Sequence, residues 1–259
     1  MSKLKKAMEK AKAARKVVEH DFVKEPEAAP QGLSITYSQT EIVNVSESTL
    51  KKNKIVSLFH EKAKADQLKI LCAQVLNTMK QLGGNSLLVT SADPGVGKTL
   101  TAINLAVSIS QEVHYTVLLV DADLRAPSVH NYFGLDGERG LSDYLLNEAE
   151  LPDLLVNPGI ENLVILPGGK PLPNSAELLG ASRTESMVRE MKARYPERFI
   201  IFDSPAVLPC ADALVFSRLI DGILLIVEAE KTPEKDLKQA MELLKERNII
   251  GTVLNKAKG

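Results

Sequence analysis

The segment ADPGVGKT, at positions 92–99, constrains the fold of this sequence more than any other part of it. It follows the apolar run SLLVT and precedes LTAINLAVSISQ, whose pattern favours a helix. The segment fits (G/A)xxxxGK(S/T), in which glycines let the backbone curl so that successive N–H groups point inward. Those N–H groups and the positive end of the following helix attract phosphate. The sequence therefore predicts a strand, a phosphate-binding loop and a helix, in that order.

The residues of this loop are predicted to hold ATP and Mg²⁺. Lys98 reaches the outer phosphates, and the Thr99 hydroxyl is a hard oxygen ligand of the kind that Mg²⁺ prefers. The other loop residues predicted to bind the nucleotide are Asp93, Pro94, Gly95, Val96, Gly97 and Leu100. The alternative is an accidental glycine-rich turn, which the strand before the segment and the helix after it disfavour.

Six short apolar runs indicate the fold class. They alternate with longer amphipathic segments and read SLLVT, TVLLVDAD, NLVILPG, FIIFDSP, GILLIVEA and IIGTVLN. Continuous apolar runs of this length are typical of parallel strands buried on both faces, because their crossover connections place helices there. The sequence therefore predicts an α/β, three-layer P-loop NTPase sandwich with a mainly parallel sheet and helices on both faces.

Acidic residues follow two of these runs. Asp121 and Asp123, with Arg125 after them, lie beyond one predicted strand, and Asp203 ends FIIFD. Ligands of open α/β sheets bind at the carboxyl ends of the strands, so these carboxylates are expected beside the phosphate-binding loop. There they are predicted to organise Mg²⁺ and orient a nucleophile. The alternative is that they cap the next helix or start a turn.

Composition divides the chain and limits its partners. From residue 3 to residue 24 there are eight Lys or Arg against three Asp or Glu, which predicts a basic helix. We expect residues 1–50 to hold this helix and a flexible linker, and residues 51–259 to form the P-loop domain. A net charge of -1 argues against a nucleic-acid binder, and two widely spaced cysteines suit a reducing compartment. No apolar run is long enough to span a membrane, so a cytoplasmic protein is expected.

The order ADPGVGKT, LLVDADLR, IIFDSP resembles the bacterial tyrosine kinases of exopolysaccharide and capsule assembly, which share the MinD/ParA-like P-loop fold. The segment GGKPLPNSAELL, residues 168–179, is similar to that family's G-x-x-P-P-N-P-x-E-L-L stretch, with Leu172 and Ser175 replacing two prolines. Residues 37–56, YSQTEIVNVSESTLKKNKIV, further resemble the exosortase-associated branch of the family.

The resemblance implies an ATP- and Mg²⁺-dependent protein tyrosine kinase that regulates polysaccharide synthesis or export. The catalytic residues carried over are Lys98, Asp121, Asp123 and Asp203; the metal ligands are Thr99, Asp121 and Asp203; and Arg125 and Asn255 join the nucleotide-binding set. Asn255 corresponds to an asparagine that contacts the base in related nucleotide-binding proteins, or is a plain loop residue. The implied partner is a membrane-bound chain-length regulator that activates the kinase at the inner face of the plasma membrane.

Two features differ from the family pattern. The family carries a tyrosine cluster near its C-terminus, whereas this sequence ends LNKAKG and its tyrosines are Tyr37, Tyr115, Tyr132, Tyr144 and Tyr195. Of these only Tyr37 lies in a predicted flexible segment, so the acceptor is either this residue or a partner's tyrosine. The family's ring-forming E-x-x-R-x-x-R helix aligns with Asp66, Lys69 and Cys72, which leaves homo-oligomer formation open.

Two other functions fit a P-loop of this kind. Partitioning ATPases of the ParA and MinD type carry KGGxGKT, with a lysine where this sequence has Asp93. A carboxylate at that position cannot stabilise phosphate charge, which favours the kinase family. The second alternative is an inactive relative that binds ATP and regulates polysaccharide export through its partner.

Overall fold

The computed structural model describes residues 41–58, 62–194 and 197–257. The basic helix predicted for residues 3–24, most of the predicted linker, Tyr37 and Tyr195 lie outside these ranges. No helix in the described ranges is long and apolar enough to cross a bilayer.

The described chain alternates strands and helices. Eight strands form one sheet: β1 Glu41–Ile42, β2 Ser86–Ser91, β3 Thr116–Asp121, β4 Val156–Asn157, β5 Leu163–Leu166, β6 Arg198–Asp203, β7 Gly222–Glu228 and β8 Ile249–Asn255. The α-helices are α1 Glu47–Lys52, α2 Lys62–Leu82, α3 Lys98–Ser110, α4 Val129–Phe133, α5 Leu141–Leu145, α6 Ser175–Leu179, α7 Ser182–Arg194, α8 Asp212–Phe216 and α9 Glu234–Leu243. Short 3₁₀ turns cover Val56–Leu58, Leu151–Leu154 and Ser217–Leu219.

The sheet has the strand order β1-β4-β5-β3-β6-β2-β7-β8. Every neighbouring pair is parallel except β4 with β5, which is antiparallel. The six apolar runs of the sequence all form strands, so that prediction is confirmed. The strands β3, β6 and β2 are neighbours in the middle of the sheet, and their carboxyl ends therefore meet at one edge.

Two apolar clusters lie on opposite faces of the sheet. Successive strand residues alternate between them: Leu87 and Val89 belong to one cluster, and Leu88 belongs to the other. The first cluster is completed by residues of α1 to α4, and the second by residues of α5 to α9. Side chains of a strand point alternately to its two faces, so helices cover both. The predicted three-layer α/β sandwich is confirmed.

The segment 41–58 packs against the sheet. Strand β1 pairs with β4, and Ser46 caps α1 by accepting a hydrogen bond from Thr49 N at 3.2 Å. Leu50 and Ile55 are buried in the first apolar cluster. The boundary predicted near residue 50 thus falls inside a packed helix. The local sequence shows no regular apolar period here, because the side chains that reach the core, Val45, Leu50, Ile55 and Leu58, are unevenly spaced.

Apolar residues at helical spacing predict a helix over 60–80 with Cys72 in the core, and a helix over 233–248 with Ala240 and Met241 in its buried stripe. The helix α2 buries Ala65, Cys72 and Met79 as its period predicts, and Cys72 is a free thiol in the core. On α9, Ala240 is buried as the period predicts, but Met241 is 42% exposed. Because α9 lies at the rim of the sheet, only a narrow stripe of its side chains packs against the strands, and Met241 remains in solvent.

Candidate nucleotide and phosphoryl-transfer site

Residues 92–99, called the phosphate loop below, connect β2 to α3. Gly95 and Gly97 have φ of 78° and 95°, in the left-handed region that favours glycine. The hydroxyl of Ser91 donates to Asp93 O at 2.6 Å, and the hydroxyl of Thr101 donates to Gly97 O at 2.9 Å. These bonds hold carbonyls away from the interior of the loop, so its N–H groups are available for phosphate.

Lys98 and Thr99 begin α3, at the positive end of that helix. Lys98 Nζ lies 3.2 Å from Asp123 Oδ2, and both side chains are nearly buried. Thr99 is 8% exposed, and its hydroxyl faces Asp203. The structure therefore brings four of the predicted residues together from β2–α3, β3 and β6.

Asp121 is fully buried at the end of β3. Its Oδ2 accepts hydrogen bonds from Ser128 N at 2.7 Å and Val129 N at 2.9 Å, and its Oδ1 accepts from Asp123 N at 3.2 Å. Burial raises the pKa of Asp121 to about 7, although the N–H donors of Val129 and Ser128 lower it. The Asp121 carboxylate also caps the start of α4. The helix-capping role that the sequence offered as an alternative is therefore compatible with the predicted catalytic role.

Asp203 ends β6 and is the register partner of Asp121 on β3. Neighbouring strands lie about 4.8 Å apart, so the two carboxyl groups share one side of the sheet edge. Neither Asp203 oxygen has a hydrogen-bond partner of normal geometry among the described residues. Burial raises the pKa of Asp203 to about 8; the charge of Lys98 lowers it and that of Asp121 raises it. A buried carboxyl without partners fits a group that binds a cation.

The donors present suit Mg²⁺. The Thr99 hydroxyl and the Asp203 and Asp121 carboxylates are hard oxygen ligands beside a loop built for phosphate. Within the described ranges no three Asp, Glu, His or Cys side chains converge closely enough to hold a metal ion by themselves. Mg²⁺ in nucleotide sites is usually bound by one or two carboxylates, and phosphate oxygens and water complete its coordination shell.

Arg125 points to a partner that sequence analysis missed. Its Nε donates to Asp212 Oδ1 at 2.9 Å, 87 residues away in the chain. Asp212 is fully buried; burial raises its pKa, but the Ser175 hydroxyl and Arg125 beside it outweigh that effect and hold the pKa below its usual value. The bond uses Nε alone, so a nucleotide contact of Arg125 would fall to its terminal nitrogens.

The end of β8 lies against the phosphate loop. Asn255 Nδ2 donates to Val96 O at 2.8 Å, and a Cβ at Gly97 would overlap the Asn255 amide. Lys256, which sequence analysis did not select, donates from Nζ to Gly95 O at 2.8 Å. No sequence motif marks this lysine, because its contact joins residues 161 positions apart.

A loop after β5 closes over the carboxylates. Gly168 lies so close that a Cβ there would come within 2.7 Å of Pro127 Cβ and 3.3 Å of Asp121 Cγ. It begins the segment 168–179, singled out in the sequence for its similarity to a family motif. Gly168 also bridges Gly140, the residue that precedes α5.

Known proteins share this architecture. Residues 87–259 match the CobQ/CobB/MinD/ParA nucleotide binding domain. The putative tyrosine-protein kinase CapB of Staphylococcus aureus is 32% identical over 202 residues, which cover 77% of this chain and 85% of CapB. The tyrosine-protein kinase YwqD of Bacillus subtilis is 36% identical over 172 residues, or 66% of this chain and 71% of YwqD. The chain belongs to the bacterial tyrosine kinase family.

Solved structures separate this family from the partitioning ATPases. The kinase domain of the Escherichia coli tyrosine kinase ETK superposes with a TM-score of 0.74 at 28% identity, over 86% of this chain and 90% of that domain. MinD of Pyrococcus horikoshii, complexed with Mg-ADP, gives a TM-score of 0.55 over 65% of this chain and 68% of that one. The partitioning proteins share the nucleotide-binding core, and the kinases share more of the chain. Membership of the tyrosine kinase family follows; the exosortase-associated branch stays a prediction.

Proposed function

We propose that this chain transfers the γ-phosphoryl group of ATP to a tyrosine hydroxyl, within a system that makes or exports an extracellular polysaccharide. The observation that carries the proposal is the meeting of Lys98, Thr99, Asp121, Asp123 and Asp203 at one edge of the sheet. They lie at the start of α3 and at the carboxyl ends of β3 and β6, and none is needed there to fill an apolar core.

Each side chain has a role that its position supports. Lys98 exchanges Asp123 for the outer phosphates, where its charge offsets the charge that develops in the transition state. Thr99, Asp203 and Asp121 would hold Mg²⁺, which when bound neutralises phosphate charge. The tyrosine oxygen forms a bond to Pγ in line as the bond from Pγ to the β-phosphate oxygen breaks, and ADP leaves with that electron pair. The protein mainly positions the reactants.

Asp121 is the proposed acceptor of the tyrosine proton. Burial raises its pKa to about 7, and a general base is most effective when its pKa is close to the pH of the reaction. Asp123 is the neighbouring carboxylate; it loses its cation when Lys98 turns to phosphate, and it then steers the hydroxyl. Arg125 and Asn255 are proposed to contact the nucleotide from the two sides of the loop.

The acceptor is proposed to be a tyrosine other than the three that the structure describes. Tyr115, Tyr132 and Tyr144 are half-buried; the Tyr115 ring packs edge-on against Phe199, and Arg183 lies 4.1 Å from the centre of the Tyr144 ring. Such packing keeps a hydroxyl from reaching an active site in line. Tyr37, or a tyrosine of a partner, remains the proposed acceptor.

The partner is proposed to be a membrane-bound chain-length regulator that activates the kinase at the inner face of the plasma membrane. Support comes from the family relationship. Homo-oligomer formation through α2 is a further proposal: Asp66 and Lys69 are exposed on that helix and can pair between copies, whereas Cys72 is buried.

The proposal is tested with labelled ATP and the purified chain, with and without the cytosolic segment of the partner. We expect phosphotyrosine by mass spectrometry, and its loss by at least 100-fold in Lys98→Met. Lys238→Met is the matched control, because Lys238 is an exposed lysine paired with Glu234 on α9. Label released only as free phosphate would support a partitioning-type ATPase instead. Tight binding without turnover would support an inactive regulator.

A further inference from the structure

Asn255, the last residue of β8, and Lys256, which follows it, both donate hydrogen bonds to carbonyls of the phosphate loop. Asn255 Nδ2 donates to Val96 O, and Lys256 Nζ donates to Gly95 O, each at 2.8 Å. These are consecutive carbonyls on the outer side of the loop. Lys256 Nζ also donates to Glu228 Oε2 at 3.0 Å, which connects the loop to the end of β7.

The geometry of the peptide bond gives these contacts a consequence. A trans peptide is planar, so its C=O and the N–H of the next residue point in opposite directions. Holding Gly95 O outward turns Val96 N–H inward, and holding Val96 O outward does the same for Gly97 N–H. Both N–H groups belong to the set that a phosphate loop offers to its ligand.

We propose that Lys256 is a positioning residue for ATP: together with Asn255 it fixes the two peptide groups that present Val96 N–H and Gly97 N–H to the phosphates. The proposal rests on the proposed function and adds to it a residue outside the phosphate loop. Lys256 would act through the backbone of that loop, without touching the nucleotide.

Gly95 is the part of the loop that most needs such support. It has φ of 78°, is exposed, and has no atom within 4 Å of the position a Cβ would take. Glycine reaches many backbone conformations at little cost, so packing does not fix the direction of its carbonyl. The ammonium of Lys256 supplies a charge-assisted hydrogen bond, roughly twice as strong as a neutral one.

Lys256 is itself held in place. Its φ of 58° is uncommon for a residue with a side chain, and its N–H donates to Asn255 Oδ1 at 2.9 Å. Glu228, the register partner of Asn255, accepts from its ammonium. The lysine side chain is 46% exposed, and when it is removed the nearly buried Glu228 keeps Lys231 as a charged partner.

The chain offers a matched control for this contact. Lys231 Nζ also lies beside Glu228 Oε2, at 3.4 Å, and is 72% exposed. Lys231→Met therefore removes a cation from the same carboxylate without touching the phosphate loop. We expect Lys256→Met to weaken ATP-Mg binding about tenfold by calorimetry, through KM more than kcat, whereas Lys231→Met changes it less than twofold. Lys256→Arg is expected to restore most of the affinity, because it keeps a donor.

Amide exchange in the nucleotide-free protein tests whether Lys256 and Asn255 hold the two peptide groups; this contact is called the clamp below. Exchange at Val96 and Gly97 is expected to be faster in Lys256→Met than in Lys231→Met, at an unchanged melting temperature. Equal exchange and equal ATP affinity in these two variants would overturn the inference and leave the proposed function intact. A wild-type chain that binds no ATP-Mg would overturn the proposed function, while the exchange comparison still decides whether the clamp exists.

Discussion

Lys98 Nζ lies 3.2 Å from Asp123 Oδ2, and the two side chains are only 12% and 9% exposed. The lysine that we propose contacts phosphate is thus already paired with a carboxylate, and both side chains are nearly buried. Asp123 Oδ1 also accepts from Ala126 N at 3.2 Å, which fixes the carboxylate in place. ATP must compete with Asp123 for this lysine, so the pair lowers affinity and keeps Lys98 aligned.

Replacing Asp123 separates those two effects. In Asp123→Asn the competing charge is gone, and we expect ATP to bind severalfold more tightly while phosphotyrosine formation falls at least tenfold. Calorimetry and phosphotyrosine counting measure the two quantities. Asp153→Asn, at an exposed aspartate, is the control. Weaker ATP binding in Asp123→Asn would mean that the carboxylate chiefly aligns Lys98.

Asp203 gives a prediction about stability as well as activity. Burial raises the pKa of Asp203 to about 8, so the folded state favours the protonated form. Its contribution to stability is complete below the unfolded pKa and is lost as the pH rises through about 8. At pH 9, Asp203→Asn without nucleotide is therefore expected to melt roughly 2–4 °C above wild type, as about 1 kcal/mol would give.

The same variant should lose Mg²⁺-dependent phosphoryl transfer at least tenfold, because a neutral amide is a poor ligand for Mg²⁺. Calorimetric melting and phosphotyrosine formation are the measurements, with the exposed Asp136→Asn as control. Lower stability at pH 9 would show that the Asp203 carboxylate is satisfied in the folded protein.

Gly168 tests whether the loop after β5 positions Asp121. A Cβ at residue 168 would press on Pro127 and approach Asp121 Cγ. We expect Gly168→Ala to lower kcat about tenfold while ATP binds within about threefold of wild type, since the phosphate loop is not touched. Gly251→Ala is the matched control, because a Cβ at Gly251 meets no atom within 4 Å. Equal kcat in both variants would contradict the assignment.

Asp221, at the opposite edge of the sheet, is expected to make the stability of the protein fall at acid pH. It accepts hydrogen bonds from Asn85 N, Ser86 N and the Ser86 hydroxyl, and it pairs with Lys192. Burial raises the pKa of Asp221, but the bonds from Lys192 and Ser86 outweigh that effect and hold the pKa below its usual value. The stabilisation is present above the unfolded pKa of about 3.9 and is lost as the pH falls through the lowered folded value.

We therefore expect Asp221→Asn to lose about 1–3 kcal/mol of unfolding free energy between pH 5 and 8. The difference from wild type should shrink below pH 4. Urea unfolding at several pH values measures it, and kcat should not change because Asp221 lies far from the carboxylates of the site. A difference that is constant down to pH 2 would contradict the role of its charge.

Much of the candidate site was open to prediction from local pattern. The phosphate loop could be read because its glycines, lysine and threonine are consecutive and lie between an apolar strand and a helix. Asp121 and Asp203 could be placed at one edge because each ends an apolar run and parallel strands share their direction. That the two are register partners follows from the strand order, which no single run contains.

The remaining contacts depend on pairs far apart in the chain. Asp212 accepts from Arg125 across 87 residues, and Lys256 reaches Gly95 across 161. In the sequence, Asp212 looks like a helix-start residue and Lys256 like a solvated lysine after a strand. Residues 25–50 likewise read as a linker with one short strand at 42–45, and only the tertiary structure places a strand, β1, at the sheet edge beside β4.

The sequence alone determined the strand, loop and helix that bind phosphate, because hydrophobic period and glycine freedom act between near neighbours. The tertiary structure decided which carboxylate faces which cation, and which side chains hold the loop from outside. Those choices depend on the order in which the strands assemble, and burial then makes each pairing strong enough to matter.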